Sequence, residues 1–577
     1  MHWADSIAKA LSHRGDKHVI ASGITPSGEF HIGHLREILT SDIIKRACWN
    51  TMLEKGVKAE FVFFVDDADP LRKVYSFLDD SYEQYIGHQL ANIPPPDENG
   101  VPDLQRFQQG ISYAQHFLEP FKNSLNILGV EIDEYIYNYD AYKSGKFAEV
   151  SRTACNRADE IREIIERVSG RELDENWFPW NPIDANGCMD GITVTGWEDP
   201  IVHWVDSEGN PGQSDVTKGE GKLPWRVDWP AKWAWRGVTM EPFGKDHGAA
   251  GGSYDTGKEI VKLFDVEPPY PTTYEWISLK GAGAMSSSTG VTIGPLEALR
   301  LVPPQIMRYL IARNQPKRHI DFDTGTALIE LADEYQRCLS ETVSGEREPG
   351  WWDELSRRQQ KAWKDMVSRI GYAQVDRFKS SAITSFSQTI GVREKKDGGI
   401  DEDTHYLDGW YLGISKITFR HLALLAQLRE NDKNVWDSIE RSGLIHDNHE
   451  GPTENEILRL QLMRNWIASP HFPDGFRLRI QTEISEGAKQ NMDPRDVGYI
   501  QTLREAFADC DWDWGTINNH VCELAKEREM KLRDAFQLMY WIVLDQDYGP
   551  KLASILEEMD RQAILDLLQL AIDELSS

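Results

Sequence analysis

The string Thr25-Pro26-Ser27-Gly28-Glu29-Phe30-His31-Ile32-Gly33-His34 sets two imidazoles three residues apart behind a Pro-Ser-Gly turn. That spacing puts both rings on one face where a helix opens. The free N–H groups and the dipole of a helix start favour an anion. Paired imidazoles there can donate hydrogen bonds to a phosphate as charge develops on it. Gly33, lying between them, would let a phosphate or a flat ring approach the backbone. The plainer alternative is a capped helix with two surface histidines. No Glu stands between the two, so the zinc pattern H-E-x-x-H is not met. A second string, Leu279-Lys280-Gly281-Ala282-Gly283-Ala284-Met285-Ser286-Ser287-Ser288, combines glycines, one cation and three hydroxyls. It suits a phosphate-contacting loop or a plain linker. In Gly244-Lys245-Asp246-His247, the carboxylate could accept both hydroxyls of a ribose and the glycine could admit a base.

These groups need a scaffold. His18 to Gly23 reads as a buried strand, Thr25 to Gly28 as a turn, and about Ile32 to Leu53 as a helix with Leu35, Ile38, Leu39, Ile43 and Ile44 on one side. Phe61 to Val65 is a second strand ending in Asp66-Asp67-Ala68-Asp69-Pro70. Strand, turn, helix and strand make a βαβ unit, which predicts a parallel sheet with ligands at the carboxyl ends of its strands. Residues 110–170 read as mainly helical, and 176–236, rich in Trp, Gly, Pro and Asp, as an irregular or β insertion. Strands resume near Val238 to Phe243 and Tyr274 to Leu279, and from about Ala327 the pattern is helical almost to the end. The expected fold class is α/β: a Rossmann-like parallel-sheet domain in two halves (1–110 and 237–325), a connective domain inserted at 111–236, and an all-helical domain at 326–577.

Composition narrows the function classes. The 577 residues carry 63 basic and 93 acidic side chains, a formal net charge of −30, which excludes a generic basic nucleic-acid coat. No apolar run approaches the ~18 residues of a membrane span. The start, Met1 to Ala10, carries Asp5 and no apolar stretch, so no signal peptide is expected. A cytoplasmic monomer without membrane contact is the expectation. The six cysteines are scattered and form no C-x-x-C pair, as a reduced compartment would have it.

His-Ile-Gly-His after a first strand resembles the signature of the class I aminoacyl-tRNA synthetases, whose second signature, Lys-Met-Ser-Lys-Ser, finds its counterpart in Ala284 to Ser288. Both lysines of that pattern are replaced, by Ala284 and Ser287, leaving Lys280 as the nearest cation. Gly221 to Trp233, Glu241 to His247 and Gly251 to Gly257, in this order, closely resemble the class I form of lysyl-tRNA synthetase. The resemblance implies a class I synthetase catalytic domain and a helical anticodon-binding domain. It also implies ATP with Mg2+, lysine and tRNA(Lys) as ligands, and a lysyl-adenylate intermediate. The catalytic residues would be His31, His34, Lys280, Ser286, Ser287 and Ser288. ATP would meet Pro26, Ser27, Gly28, His31, Gly33, His34, Gly244, Asp246, Ala284, Met285 and Ser286. Gly23 and Thr25 would hold the α-amino end of lysine. Trp225, His247 and Tyr274 could wall its alkyl stem, and Asp66 or Asp67 could meet its ammonium, unless those carboxylates simply cap the turn before Pro70. Trp229 and Trp233 read better as core. Members of the family often carry cysteine pairs in the insertion; Cys188 alone cannot close a tetrahedral site, so no structural zinc is expected.

Three basic islands offer a place for tRNA. The first holds Arg300, Arg308, Arg313, Lys317 and Arg318 without an acid. The second holds Lys222, Arg226, Lys232 and Arg236 against Asp228, and the third Arg459, Arg464, Arg477 and Arg479 among Trp466, Phe472 and Phe476. Aromatics beside arginines suit unstacked RNA bases. Two other functions fit the same residues: another class I synthetase, glutamyl being nearest, or a synthetase-like RNA-binding or regulatory protein without aminoacylation.

Overall fold

A computed structural model describes residues 2–48, 57–279, 283–284, 293–344, 417–444, 451–452 and 454–576. It divides into two compact units. The first takes in the described residues up to Leu299 together with Pro304–Phe322 and residues 341–344. The second takes in Arg300–Pro303, Asp323–Ser340 and the described residues beyond 416.

The first unit is built on five strands, β1 (Lys17–Ile24), β2 (Lys58–Val65), β3 (Glu134–Tyr137), β4 (Met240–Gly244) and β5 (Tyr270–Tyr274). They lie in the order β5-β4-β1-β2-β3, every pair parallel. Strands covered on both faces read as continuous apolar runs, which is why Phe61 to Val65 are all buried. Helix α1 (Trp3–Ser12) and helix α2 (Leu35–Cys48) belong to one layer, with α2 against β1 and β2. Helix α3 (Trp225–Arg236) drives Trp233 into a core with Ala21, Val62, Phe64 and Ile136 of the sheet. The order reverses between β1 and β4, so the connections that leave their carboxyl ends run in opposite directions and leave a crevice there.

Three local expectations change. Glu134–Tyr137, read as part of the insertion, is the edge strand of the main sheet. Trp225–Arg236, read as irregular or β, is a helix despite Pro230, which lies past the first turn and so leaves one carbonyl, that of Arg226, without its helical N–H. The first helix is Trp3–Ser12, and the histidine string opens with a short 3-10 turn, Ile32–His34, before α2. Within the insertion, Thr193–Glu198, Ile201–Val205 and Pro211–Asp215 pair as an antiparallel sheet. Cys188 places its Sγ 3.5 Å from the Ile86 carbonyl.

Buried ion pairs tie α2 to the rest of the unit. Asp42 accepts from Arg46 at 2.9 Å and from Arg308 at 2.6 Å, and all three side chains are buried. Asp42→Ala would strand two guanidiniums away from water, and we expect about 3–5 kcal/mol of lost stability in denaturant unfolding.

The second unit is helical. Phe419–Leu428, Asp432–Arg441, Glu454–Ala468, Val497–Asp509, Trp514–Glu527, Leu532–Leu544 and Arg561–Ser576 are its longer helices, with Thr326–Ser344 belonging to it as far as Ser340. Phe507, Leu538, Ile542, Leu556 and Leu568 lie in its core. Among the described residues no helix is long and apolar enough to cross a membrane.

Candidate active site

The crevice beyond β1 and β4 is walled by the residues that the strands end on. Register sets Ile24 level with Val65 and Gly244 level with Tyr274. Thr25, Asp66 and Lys245 therefore leave the sheet on one side of the molecule.

His31 and His34 cap one another. The Gly33 N–H donates to His31 Nδ1 at 3.1 Å, and the His31 N–H donates to His34 Nδ1 at 3.1 Å. With its Nδ1 accepting, the neutral His31 ring carries its proton on Nε2; His34 Nδ1 also lies 3.2 Å from the His31 carbonyl, and its tautomer follows from which of these two backbone contacts it makes. Burial pushes His31 down to about 4 and His34 to about 3, the latter also through the neighbouring His31. His31 thus offers a neutral Nε2–H donor across physiological pH, and His34 offers a second when its Nδ1 accepts the His31 N–H. Gly33 has a different reason from the expected one. A methyl there would meet the His31 ring at 2.7 Å, so the glycine makes room for the capping imidazole. His31, Gly33 and His34 line one cavity with Gly23, Glu37 and Tyr274. Ser27 and Gly28 form the adjoining turn. Tyr113 donates to the Ser27 carbonyl at 2.8 Å, and a methyl at Gly28 would meet Phe77 at 3.0 Å. Pro26 is buried beside them.

A second cavity of about 140 Å3 adjoins the first through Gly23, Ile24 and Glu37. Its aromatic side holds Trp225, Trp229 and His247. Trp225 stacks on Trp229 with ring centres 5.7 Å apart and lies 5.3 Å from His247. Trp229 is therefore part of the wall, while Trp233 is core as expected. Thr25 donates its hydroxyl to Asp69 at 3.1 Å, leaving its oxygen lone pairs to accept.

The polar side was only partly foreseen. Glu37 accepts from Tyr274 at 2.6 Å, from Ser22 at 2.7 Å and from the Gly23 N–H at 3.3 Å. Tyr274 thus reaches the cavity through its hydroxyl on Glu37. Glu241 accepts from Trp233 Nε1 at 2.5 Å. Asp66 is paired with Lys232, Lys232 also with Asp228 at 2.7 Å, and Asp69 with Lys222. Asp67 accepts from the Tyr139 N–H at 2.8 Å, which makes it a structural cap. Burial raises Glu37, lifts Glu241 to about 7 and Asp66 to about 6. Three carboxylates, Glu37, Asp66 and Glu241, thus line the second cavity with Lys232, while behind them Asp69 is paired with Lys222 and Asp228 shares Lys232, which leaves the cavity with a surplus of carboxylates. Glu37 had a signal in the sequence, since it continues the three-residue spacing of His31 and His34. Glu241 had another, a charge inside a buried strand.

Other expected residues fall elsewhere. Gly244 is buried at the end of β4, while Asp246 is exposed just beyond it and lines neither cavity. Ala284 is described only through its backbone pairing with Ser278. Lys280, Met285, Ser286, Ser287 and Ser288 lie outside the described residues.

The basic islands need correction. Arg308 is fully buried on Asp42 and cannot meet a polyanion. Lys222 and Lys232 are buried in the cluster above and Arg236 is paired with Glu134 at 2.5 Å, so the second island is no surface patch. In the third, Trp466 and Phe472 are core, Arg464 is held by Asp432 at 2.6 Å, and Arg477 lies against Phe472. Arg459 is buried, and of the four arginines only Arg479 is exposed. Arg313, Lys317 and Arg318 are exposed. The backbone behind them is fixed by Arg36, which donates to the carbonyls of Gln315, Pro316 and Arg318 at 2.9–3.1 Å. Arg300 is exposed in the second unit.

Residues 1–364 match the family described as tRNA synthetases class I (K). Curated relatives bear the name lysine–tRNA ligase. One from Picrophilus torridus is 35% identical, covering 98% of this chain and 98% of that one. One from Archaeoglobus fulgidus is 34% identical over 99% of this chain and all of that one. A third, from Methanosarcina barkeri, is 42% identical over 98% and 97%.

Proposed function

The chain belongs to the class I (K) tRNA synthetases, and from that premise we propose that it joins lysine to tRNA(Lys) at the expense of ATP. The observation that carries the choice of amino acid is the surplus of buried carboxylates around the second cavity. A cationic side chain supplies what Glu37 and Glu241 lack, since buried charge must be paired. Glutamate would bring a further carboxylate against three, which disfavours the glutamyl reading.

In this reading the stem of lysine lies against Trp225 and Trp229, its ammonium between Glu37 and Glu241, and its α-amino group on the Thr25 oxygen. The lysine carboxylate attacks the α-phosphorus of ATP; the bond to the β-phosphate oxygen breaks and pyrophosphate leaves. His31 and His34 donate from Nε2 to the phosphate oxygens as charge gathers on them. The terminal ribose hydroxyl of tRNA then attacks the lysyl carbonyl carbon and AMP departs. Catalysis rests on position and preorganised donors, with no covalent enzyme intermediate. ATP is expected to arrive with Mg2+ held largely by its own phosphates. Attachment of labelled lysine to tRNA(Lys) transcript tests the reading; attachment of another amino acid in preference would overturn it.

Lysine affinity carries a pH signature. Burial raises the cavity's carboxyl groups, so in the empty site at low pH they hold protons. An ammonium requires them ionised, so binding releases protons. Affinity should tighten as pH rises through about 6 to 7 and weaken below, by up to about tenfold per unit for each proton displaced. Calorimetric titration of lysine from pH 5.5 to 7.5 measures it, and a flat profile would contradict it.

The exposed Arg313, Lys317 and Arg318 are expected to touch tRNA phosphates. Replacing all three by Ala should weaken tRNA binding and reduce the slope of log K against log salt by about 2 to 3. Filter binding across a salt series measures both.

A further inference from the structure

One short string of the insertion serves the amino-acid cavity twice. Gly221–Lys222 pairs antiparallel with Asn181–Pro182, and a methyl on Gly221 would meet Trp180 Nε1 and the Asn181 carbonyl at 2.5 Å, so the glycine lets the two segments close. The Leu223 N–H then donates to the Tyr142 hydroxyl at 3.0 Å. Trp225, further along the string, enters the aromatic wall of the cavity, while Lys222 runs inward to Asp69. Both side chains of that pair are buried. Asp69 divides its carboxylate: Oδ1 takes the Lys222 ammonium, and Oδ2 accepts from the Thr25 hydroxyl at 3.1 Å. Thr25 lines the amino-acid cavity, and Asp69 stands behind it.

A hydroxyl has one proton and points it one way. An ionised carboxylate only accepts, so Thr25 must donate to Asp69 and turn its lone pairs to the cavity. A protonated Asp69 could donate instead, and the Thr25 proton would then face the cavity. An α-ammonium is a donor only, so it binds the first arrangement and is rejected by the second. A buried carboxylate without a counter-charge takes up a proton. The polarity of the chain is therefore set at its charged end. We propose that Lys222 is a positioning residue for amino-acid selection: by holding Asp69 ionised, it fixes Thr25 as the acceptor for the α-ammonium of lysine. It acts through Thr25 and touches no substrate. The inference rests on the lysine–tRNA ligase reading and adds how the site tells an α-amino acid from an ω-amino acid without an α-amino group. Glu37 and Glu241, on the side-chain ammonium, cannot make that distinction.

Calorimetric titration of the full chain with L-lysine and with 6-aminohexanoate, the same molecule without its α-amino group, tests the proposal. The parent should prefer lysine by about ten- to a hundredfold, the effect of one hydrogen bond from a charged group. Lys222→Met should reduce that preference to about threefold or less by weakening lysine, with 6-aminohexanoate held within about threefold of its parent affinity. Thr25→Val should do the same, and the double variant should lose no more than either single one, since both act on one contact. Lys222→Gln, which can still donate to Asp69 but brings no charge, is the gentler second variant and should cut the preference at least about threefold. Equal weakening of both ligands by the Lys222 variants would overturn the proposal and leave Lys222 a structural counter-ion. Losses that add in the double variant would overturn it too. A parent that binds 6-aminohexanoate as tightly as lysine would overturn the seat given to Thr25. A parent that does not bind lysine would instead overturn the reading beneath both.

Discussion

His34→Ala should lower the rate of lysine-dependent adenylate formation about 10²- to 10³-fold while leaving tRNA affinity within about twofold. The magnitude is that of removing one preorganised donor from a charge-developing centre. The His31 backbone fixes the ring: its Nδ1 lies 3.1 Å from the His31 nitrogen and 3.2 Å from the His31 carbonyl, which leaves Nε2 to face the cavity. Burial holds His34 neutral, at about 3. Its protonation therefore should leave no inflection near pH 6.5 in the rate profile, unlike an exposed imidazole. His34→Gln, whose amide N–H can approximate the Nε2 position, should recover part of the rate. Pre-steady-state adenylate formation and filter binding of tRNA separate the two effects. Equal losses in both would contradict the role, and so would a rate loss matched by a large fall in Tm.

Glu37→Gln should raise the KM for lysine about a hundredfold and leave the KM for ATP nearly unchanged. Removing one partner of a buried charge pair costs about 2–5 kcal/mol of binding. The lower part of that range applies because Glu241 remains across the cavity. The sign on stability runs the other way. Burial raises the Glu37 carboxyl above its ordinary value, so ionised Glu37 costs the empty protein stability at neutral pH. Glutamine removes that charge while its carbonyl can still accept from Tyr274 or Ser22. The variant should melt no lower than the parent, a signature of a residue kept for binding at the expense of the fold. Exchange kinetics across lysine concentrations and a thermal melt check the two halves.

Much of the catalytic half was legible because its chemistry constrains residue type. A helix start that meets phosphate needs a tight turn and donors, and Thr25 to His34 spells both. A parallel strand covered on two faces must be apolar throughout, and Phe61 to Val65 is. What failed were features set by distant partners. Lys222 and Lys232 looked like a surface island, yet each is neutralised by an aspartate more than 150 residues earlier in the chain. Arg308 looked equally free, and its partner Asp42 lies in α2. Helix α3 was hidden by Pro230 and a run of tryptophans, although Trp225, Trp229 and Trp233 recur at the four-residue spacing of one helical face. Glu134–Tyr137 is too short to carry an alternation of its own, and its place is set by pairing with β2. The aromatics of the third island illustrate the same limit. Local composition cannot tell a stacking face from a core, and Trp466 proved to be core.

The central claim is that a cavity with surplus carboxylates selects a cationic amino acid for activation by ATP. ATP–pyrophosphate exchange with each amino acid in turn, on the unmodified chain, tests it most directly. Lysine should stimulate exchange strongly, arginine and ornithine weakly, and glutamate not at all. Stimulation by glutamate, or by no amino acid, would contradict the account.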